Sequence, residues 1–167
     1  KLREAEKRSV AQYGVCFQNR YNPCVQAAKE RMESGTTGKL LAARAFVTWN
    51  RQPPYYTESG WRGTLRQEGG GVLTNQAIHT LDLMRYFGGE IAAISGQITN
   101  QHLRGVIEVE DTACVLLQYA SGAAGIFYAT TAYRQNAPVL LELVCEQETL
   151  RLEGSNLYRL EGNRFTL

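Results

Sequence analysis

The second half of the sequence is a run of short apolar segments separated by turns too short to contain a helix. These segments lie at residues 91–100, 109–120, 123–133, 139–146, 149–153, 157–160 and 164–167. Ser121-Gly122, Gly154-Ser155 and Gly162-Asn163 punctuate them as turns do. Parallel neighbours need a crossover of about a dozen residues or more, so these segments are predicted to pair as antiparallel strands.

The first half of the sequence predicts helices and one further long strand. Asn22 as N-cap and Pro23 as first helical residue start a helix that runs to about Ser34. The other predicted elements are a polar helix over 1–12, a buried strand over 14–19, a long strand over 39–49, a loop over 50–70 and a helix over 71–87.

Early helices followed by many strands predict an α+β fold: a large, mainly antiparallel sheet with helices packed on one face. The other face would carry Ile126, Tyr128 and Thr130 and be partly apolar. An uncovered apolar face is usually a partner surface, so we expect self-association through it. A merely mixed, solvent-facing surface is the alternative.

Composition excludes several classes of protein. A formal charge of +2 with acids and bases interspersed argues against nucleic-acid binding. No apolar run approaches the ~20 residues needed to span a membrane. The four cysteines are scattered and no secretory signal is visible, which favours reduced thiols in a cytoplasmic protein. The sequence begins without Met in a charged, helix-like stretch, so residues 1–167 are expected to be a single domain of a longer polypeptide.

A polar stripe on an otherwise apolar predicted helix is the strongest chemical signal. Asn75, His79 and Asp82 would fall within about 60° of one another around the helix axis. His79 could exchange a proton with a substrate, and Asp82 could orient its ring. A satisfied His–Asp pair at the edge of the core is the alternative that spacing alone leaves open.

Other motifs give weaker or negative signals. Gly69-Gly70-Gly71 lacks the spacing of a phosphate-binding loop, so a close-packed turn is expected there. The only other histidine is His102, and no metal site is predicted. The aromatic and arginine side chains of the 50–70 loop suit sugar faces and anions, and equally an ordinary packed loop.

Several motifs, in order along the chain, resemble the C-terminal domain of the glucose–fructose oxidoreductase, inositol dehydrogenase and MocA family. They are Phe17-Gln18-Asn19-Arg20-Tyr21-Asn22-Pro23, Trp61-Arg62-Gly63-Thr64 and the block from Gly69-Gly70-Gly71 to His79 and Asp82. The resemblance implies an oxidoreductase that moves hydride between a nicotinamide and a sugar, sugar-nucleotide or polyol. It also implies that NAD or NADP binds mainly to an N-terminal Rossmann domain, which this sequence lacks, and that the protein forms a dimer or tetramer through the sheet face.

The resemblance further implies roles for individual residues. His79 would be the catalytic acid or base, supported by Asp82. The sugar would be held by Arg20, Asn22, Asn75 and Gln76, and Trp61 and Arg62 would border the nicotinamide.

Asn75 departs from the family pattern, in which many members have Asp, and Asn cannot act as a base. The surrounding pattern is similar to members that act on nucleotide-linked amino sugars, where Arg20 or Arg62 could meet a carboxylate or phosphate. The departure also leaves open a non-catalytic sugar-binding or dimerisation module. Without the Rossmann domain, this chain alone is expected to show no turnover.

Overall fold

Eight strands form one continuous sheet in the computed structural model, which describes residues 2–167. The helices are α1 (Leu2–Arg8), a 3₁₀ helix (Gln18–Tyr21), α2 (Pro23–Glu33), α3 (Pro53–Thr57) and α4 (Ile78–Gly88). The strands are β1 (Leu40–Thr48), β2 (Ile91–Thr99), β3 (Thr112–Tyr119), β4 (Ala124–Thr130), β5 (Leu140–Cys145), β6 (Thr149–Glu153), β7 (Asn156–Glu161) and β8 (Arg164–Thr166). None of the helices in the described residues has the length and apolar character needed to cross a membrane.

The sheet order is β2-β3-β4-β1-β5-β6-β7-β8. Strand β1, from the first half of the chain, lies at the centre, parallel to β4 and antiparallel to β5. The remaining neighbours pair antiparallel. Short connections require this for every one of these pairs except β2 and β3, which twelve residues separate. The predicted α+β class with a mainly antiparallel sheet is confirmed.

The core lies between α2 and α4 and one face of the sheet. Strand β1 presents Ala43 and Ala45 to this side, both essentially buried, and these small side chains let α4 approach the sheet closely. Helix α4 contributes Leu83, Met84 and Phe87 to the same core. Each such large side chain contributes about 1.5–3 kcal/mol when removed from water. This packing fixes the position of α4, which carries the predicted site.

The opposite face of the sheet is open and partly apolar. Leu116 and Ile126 face each other across β3 and β4 and are 58% and 45% exposed. Phe46 and Tyr128 pair on the same face, and together these side chains line a shallow depression of about 410 Å³. Ile126 and Tyr128 were expected here, whereas Thr130 is buried and hydrogen-bonded to Thr112.

The N-terminal segment differs from the prediction. Residues 14–19 form no strand: Val15 is 68% exposed, and the 3₁₀ helix begins at Gln18. A strand requires a partner for its backbone groups, and among the described residues this segment has none, so its apolar residues alone could not make it a strand. Helix α1 ends at Arg8, short of the predicted limit at residue 12, and Lys1 lies outside the described residues. Helix α2 begins and ends close to the predicted bounds.

Gly88 gives a direct test of the core packing. A Cβ atom at Gly88 would collide with the ring of Tyr119, which is buried and donates its hydroxyl hydrogen to the carbonyl of Met84 at 3.2 Å. We expect Gly88→Ala to lower the free energy of unfolding by about 1–3 kcal/mol through overpacking, although alanine favours helices. Urea unfolding would measure the change. Gly14→Ala is the control, because no atom lies within 4 Å of the added methyl. Equal midpoints for the two variants would contradict this packing.

Candidate active site

Helix α4 begins at Ile78, seven residues later than predicted. Between Gly71 and Ala77 the chain makes successive turns, with the amides of Thr74 and Asn75 both donating to the carbonyl of Gly71. The prediction of a helix from Gly71 is therefore wrong, and Asn75 does not share a helix face with His79 and Asp82. The apolar pattern continues through the turns because they too are buried, so periodicity could not locate the helix start.

Glu110 holds this turn to the sheet. Its carboxylate accepts hydrogen bonds from the amides of Gly71 and Leu73, and its backbone carbonyl accepts one from Val72, each at 3.0 Å. A Cβ atom at Gly71 would collide with that carbonyl, so this close approach requires glycine. Three consecutive amides are thus satisfied by one residue at the start of β3.

Gln76 lies at the end of the turn and is 6% exposed. Its amide nitrogen donates to the hydroxyl of Tyr55 at 3.4 Å, while its amide oxygen is buried and has no partner among the described residues. A buried acceptor without a donor costs about 1–3 kcal/mol, so a bound molecule that donates to it would be stabilised. Gln76 was predicted to hold substrate, and its geometry suits that role.

His79 is the second residue of α4 and is partly exposed, outside the apolar core. Its ring meets that of Phe17 edge to face, with the centroids 6.0 Å apart. Its Nδ1 atom is buried and has no hydrogen-bond partner within residues 2–167. The imidazole is therefore not part of a satisfied structural pair through Nδ1, which was the alternative interpretation of this residue.

Asp82 binds Arg20 instead of His79. Both carboxylate oxygens accept from the guanidinium, Oδ2 from Nε at 2.7 Å and Oδ1 from Nη2 at 2.5 Å. This hydrogen bonding raises the pKa of Arg20 above its ordinary value, so the guanidinium keeps its charge. Arg20 and Phe17 lie three residues apart, as do Asp82 and His79, so the two contacts fasten the 3₁₀ helix along α4. The charge of Arg20 is therefore neutralised by Asp82. Asp82 affects His79 only indirectly, because both residues belong to α4.

Asn75 and Asn22, both predicted to bind sugar, lie in different surroundings. Asn75 donates from its side chain to Glu68, which also accepts from the amide of Gly63. An aspartate at position 75 would place a second negative charge against the Glu68 carboxylate, and the two would repel each other. The asparagine found here instead of the family's aspartate can donate a hydrogen bond to Glu68. Asn22 is exposed; its carbonyl begins α2, but its side chain makes no capping hydrogen bond.

The loop before the glycines contains a stack of aromatic rings and guanidinium groups. The guanidinium carbon of Arg62 lies 4.4 Å from the ring centroid of Tyr55 and 4.9 Å from that of Trp61. Arg51 lies 5.1 Å from both Tyr55 and Trp49. Trp61, 42% exposed, is at the outer end of the stack. The structure therefore brings Arg62 and Trp61 together with Gln76 through Tyr55.

Three contributors to the site were not predicted: Glu110, Tyr55 as the partner of Gln76, and Arg51. Glu110 is 39 residues from Gly71, and Arg51 is 25 residues from Gln76. Nothing in the local sequence links the members of either pair. The Glu110-Asp111 pair just before a strand is the one available signal, because acids are rare at such buried positions. In residues 2–167 no group of three or more His, Cys, Asp or Glu side chains is arranged to hold a metal ion.

Solved structures with this fold include the WlbA dehydrogenase from Bordetella pertussis in complex with NADH and UDP-GlcNAcA. The similarity has a TM-score of 0.79 and 32% sequence identity, and it covers 84% of this chain and 42% of that one. It places the chain in the class of α+β domains found in NADH-binding dehydrogenases.

The sequence model of the GFO/IDH/MocA C-terminal domain matches residues 25–151. The chain belongs to this family, and the predicted family is confirmed. Levoglucosan dehydrogenase from Pseudarthrobacter phenanthrenivorans is 26% identical over 77% of this chain, and D-apiose dehydrogenase from Rhizobium rhizogenes is 31% identical over 85%. The chain spans 39% and 40% of the lengths of these two proteins.

Glu110→Gln tests how the turn is held. A glutamine keeps one acceptor but turns an NH₂ group toward the second amide, so we expect a loss of about 1–3 kcal/mol in the free energy of unfolding. Faster hydrogen exchange at Gly71 or Leu73 would localise the change. Glu108→Gln is a matched control, since Glu108 accepts a single amide hydrogen bond, from Leu65 at 2.9 Å, which glutamine can retain. Equal effects of the two substitutions would count against the role of Glu110.

Proposed function

We propose that this chain is the substrate-binding C-terminal domain of an oxidoreductase that transfers hydride between a nicotinamide cofactor and a hydroxyl or carbonyl carbon of a sugar, sugar-nucleotide or polyol. The observation that carries the proposal is a half-buried imidazole, His79, three residues after Gln76, whose amide oxygen is buried and has no partner among the described residues. Membership of the GFO/IDH/MocA family supports it, as do relatives named for dehydrogenation of levoglucosan and D-apiose.

The cofactor would be held mainly by a Rossmann domain in the part of the protein that precedes this chain. The glycine turn is unsuited to cradle its phosphates, because Glu110 already occupies the amides of Gly71, Val72 and Leu73. Trp61 and Arg62 fit the nicotinamide end, where an exposed ring and a guanidinium can border a flat heterocycle. NAD is the expected cofactor, and NADP the alternative, with the choice made by residues outside this chain.

Each residue of the candidate site would then have its own role in the reaction. The cofactor supplies the hydride acceptor or donor. His79 takes the proton of the reacting hydroxyl, or returns it, from its position at the start of α4. Gln76 accepts a hydrogen bond from another substrate hydroxyl through its free oxygen. The Arg20–Asp82 pair positions the 3₁₀ helix against α4 and so keeps Phe17 on the imidazole. Asn22, exposed beside this helix, is the outermost of the proposed sugar contacts.

His79→Ala in the protein that combines this chain with its nucleotide-binding domain should lower turnover about 10²–10⁴-fold, since a positioned acid–base group contributes that much. NADH absorbance at saturating sugar measures the rate, and urea unfolding should show an unchanged fold. His102→Ala is the matched control, because His102 is the other of the two histidines and is exposed in the loop between β2 and β3. Clear turnover by this chain alone, or by the His79→Ala protein, would contradict the assignment. No turnover by the unsubstituted two-domain protein would favour a non-catalytic sugar-binding module.

The open sheet face is proposed to join subunits in a cytoplasmic dimer or tetramer. The proposal is supported by the exposed side chains of Leu116 and Ile126 and the apolar depression beside them. On one side this patch meets charged residues: Arg44 and Arg151, with the buried carboxylate of Glu142 between them. Polar residues next to an apolar centre are typical of interfaces.

Leu116→Glu should therefore convert the assembly to monomers, because an unpaired charge would be buried at the centre of the contact. Light scattering coupled to size-exclusion chromatography gives the mass. Ile94→Glu is the matched control, since Ile94 is 65% exposed but lies on the other face of neighbouring strand β2. A native protein that is monomeric, or a Leu116→Glu variant of unchanged mass, would refute this interface.

A further inference from the structure

Arg51 and Arg62 carry positive charges that no acidic side chain balances. Neither guanidinium lies within 4.0 Å of a carboxylate in residues 2–167, although most other buried or half-buried charges of the chain are paired. Of the two acids in the same loop, Glu58 is exposed, and Glu68 accepts from the amide of Gly63 and the side chain of Asn75. The two arginines are thus an unmatched pair of cations on one loop.

Both cations are held in place by the same ring. Their guanidinium carbons lie 5.1 Å and 4.4 Å from the centroid of Tyr55, and Trp49 and Trp61 stack on the two ends. Hydrogen bonds to backbone and amide oxygens fix them further: Arg51 donates to the carbonyl of Asn50 at 2.7 Å and Arg62 to that of Tyr55 at 3.5 Å. Like charges repel, so an anion bound between the two would stabilise them on this ring.

The unused hydrogen-bonding groups of this stack are buried. The Nε atoms of Arg51 and Arg62 lie out of contact with solvent and have no acceptor. Gln76, more than nine-tenths buried, has an unpartnered oxygen and is bonded to the hydroxyl of Tyr55. Guanidinium donors without acceptors match the oxygen atoms of carboxylate and phosphate groups, which bind arginine through several parallel hydrogen bonds.

We infer that the Arg51–Tyr55–Arg62 stack binds an anionic group, carboxylate or phosphate, attached to the sugar substrate. The inference rests on the proposed function, since Tyr55 connects the stack through Gln76 to the turn that leads into His79. It assigns anion recognition to Arg51 and Arg62 and removes it from Arg20, whose charge Asp82 already neutralises. The substrate class becomes acidic or phosphorylated sugars in preference to neutral ones.

The two tryptophans of the chain provide a local reporter, because Trp49 and Trp61 are the only ones and both stack on these arginines. The chain itself would be titrated with D-glucuronate, with α-D-glucose 1-phosphate and with neutral D-glucose, following tryptophan fluorescence. Every group of the stack belongs to this chain, so binding of the anion needs no other domain. We expect saturable changes with one or both anionic sugars, weakened by salt, and at least about tenfold weaker binding of glucose.

Arg62→Gln and Arg51→Gln should each weaken the anionic sugar about tenfold or more and leave the weak binding of glucose unchanged. Arg66→Gln is the matched control, with the same loss of charge in the same loop on an exposed side chain. Circular dichroism and urea unfolding verify the fold; should either glutamine variant unfold, Arg62→Lys keeps the charge but loses the planar donors, and is expected to weaken binding as well.

A response to glucuronate alone identifies a carboxylate site, and a response to glucose 1-phosphate alone a phosphate site. Equal responses to glucose and to both anions, no saturable response, or equal effects of Arg62→Gln and Arg66→Gln would overturn the inference. These outcomes are separable from the proposed function: oxidation of a neutral sugar in preference to both anionic ones, by the protein with its nucleotide-binding domain, would preserve the enzyme and refute only the anion site. Binding of an anionic sugar without hydride transfer would support the anion site and refute the proposed enzyme.

Discussion

The hydrogen bonds that Glu110 makes to three consecutive amides determine where the site lies. Gly71, Val72 and Leu73 follow the central loop at the edge of the core. Without Glu110, their N–H groups would lose these hydrogen-bond acceptors. Because Glu110 lies two residues before β3, its bonds join the turn to the sheet, and α4 begins five residues after Leu73. The buried alanines of β1 then set how deeply α4 sits. The position of His79 follows from these two constraints.

The sheet was largely predictable because its strands are local features. Each is a short apolar segment between turn residues, and short connections force antiparallel pairing whatever the rest of the chain does. The helix over Pro23–Glu33 was predictable for the same reason, with Pro23 marking its start. The supposed strand at 14–19 failed because a strand exists only through a partner, and Val15 and its neighbours have none among the described residues.

The candidate site was predictable only in part, since its side chains meet through contacts distant in sequence. His79 and Gln76 stand out as polar residues in an apolar segment, and the structure brings both to the start of α4. The spacing of Asp82 suggested a partner for His79, but a guanidinium 62 residues away offers the carboxylate two charge-assisted hydrogen bonds. The helix start was also misplaced, because the turn before α4 is as buried as the helix and owes its shape to Glu110.

The proposed function requires the imidazole of His79 to face the reacting carbon of a sugar. A crystal structure of the protein that combines this chain with its nucleotide-binding domain, solved with reduced cofactor and sugar, would show whether it does. We expect a sugar hydroxyl within about 3.2 Å of a His79 ring nitrogen, with another hydroxyl donating to the oxygen of Gln76. A sugar bound elsewhere, with both side chains still without a partner, would contradict the proposed function.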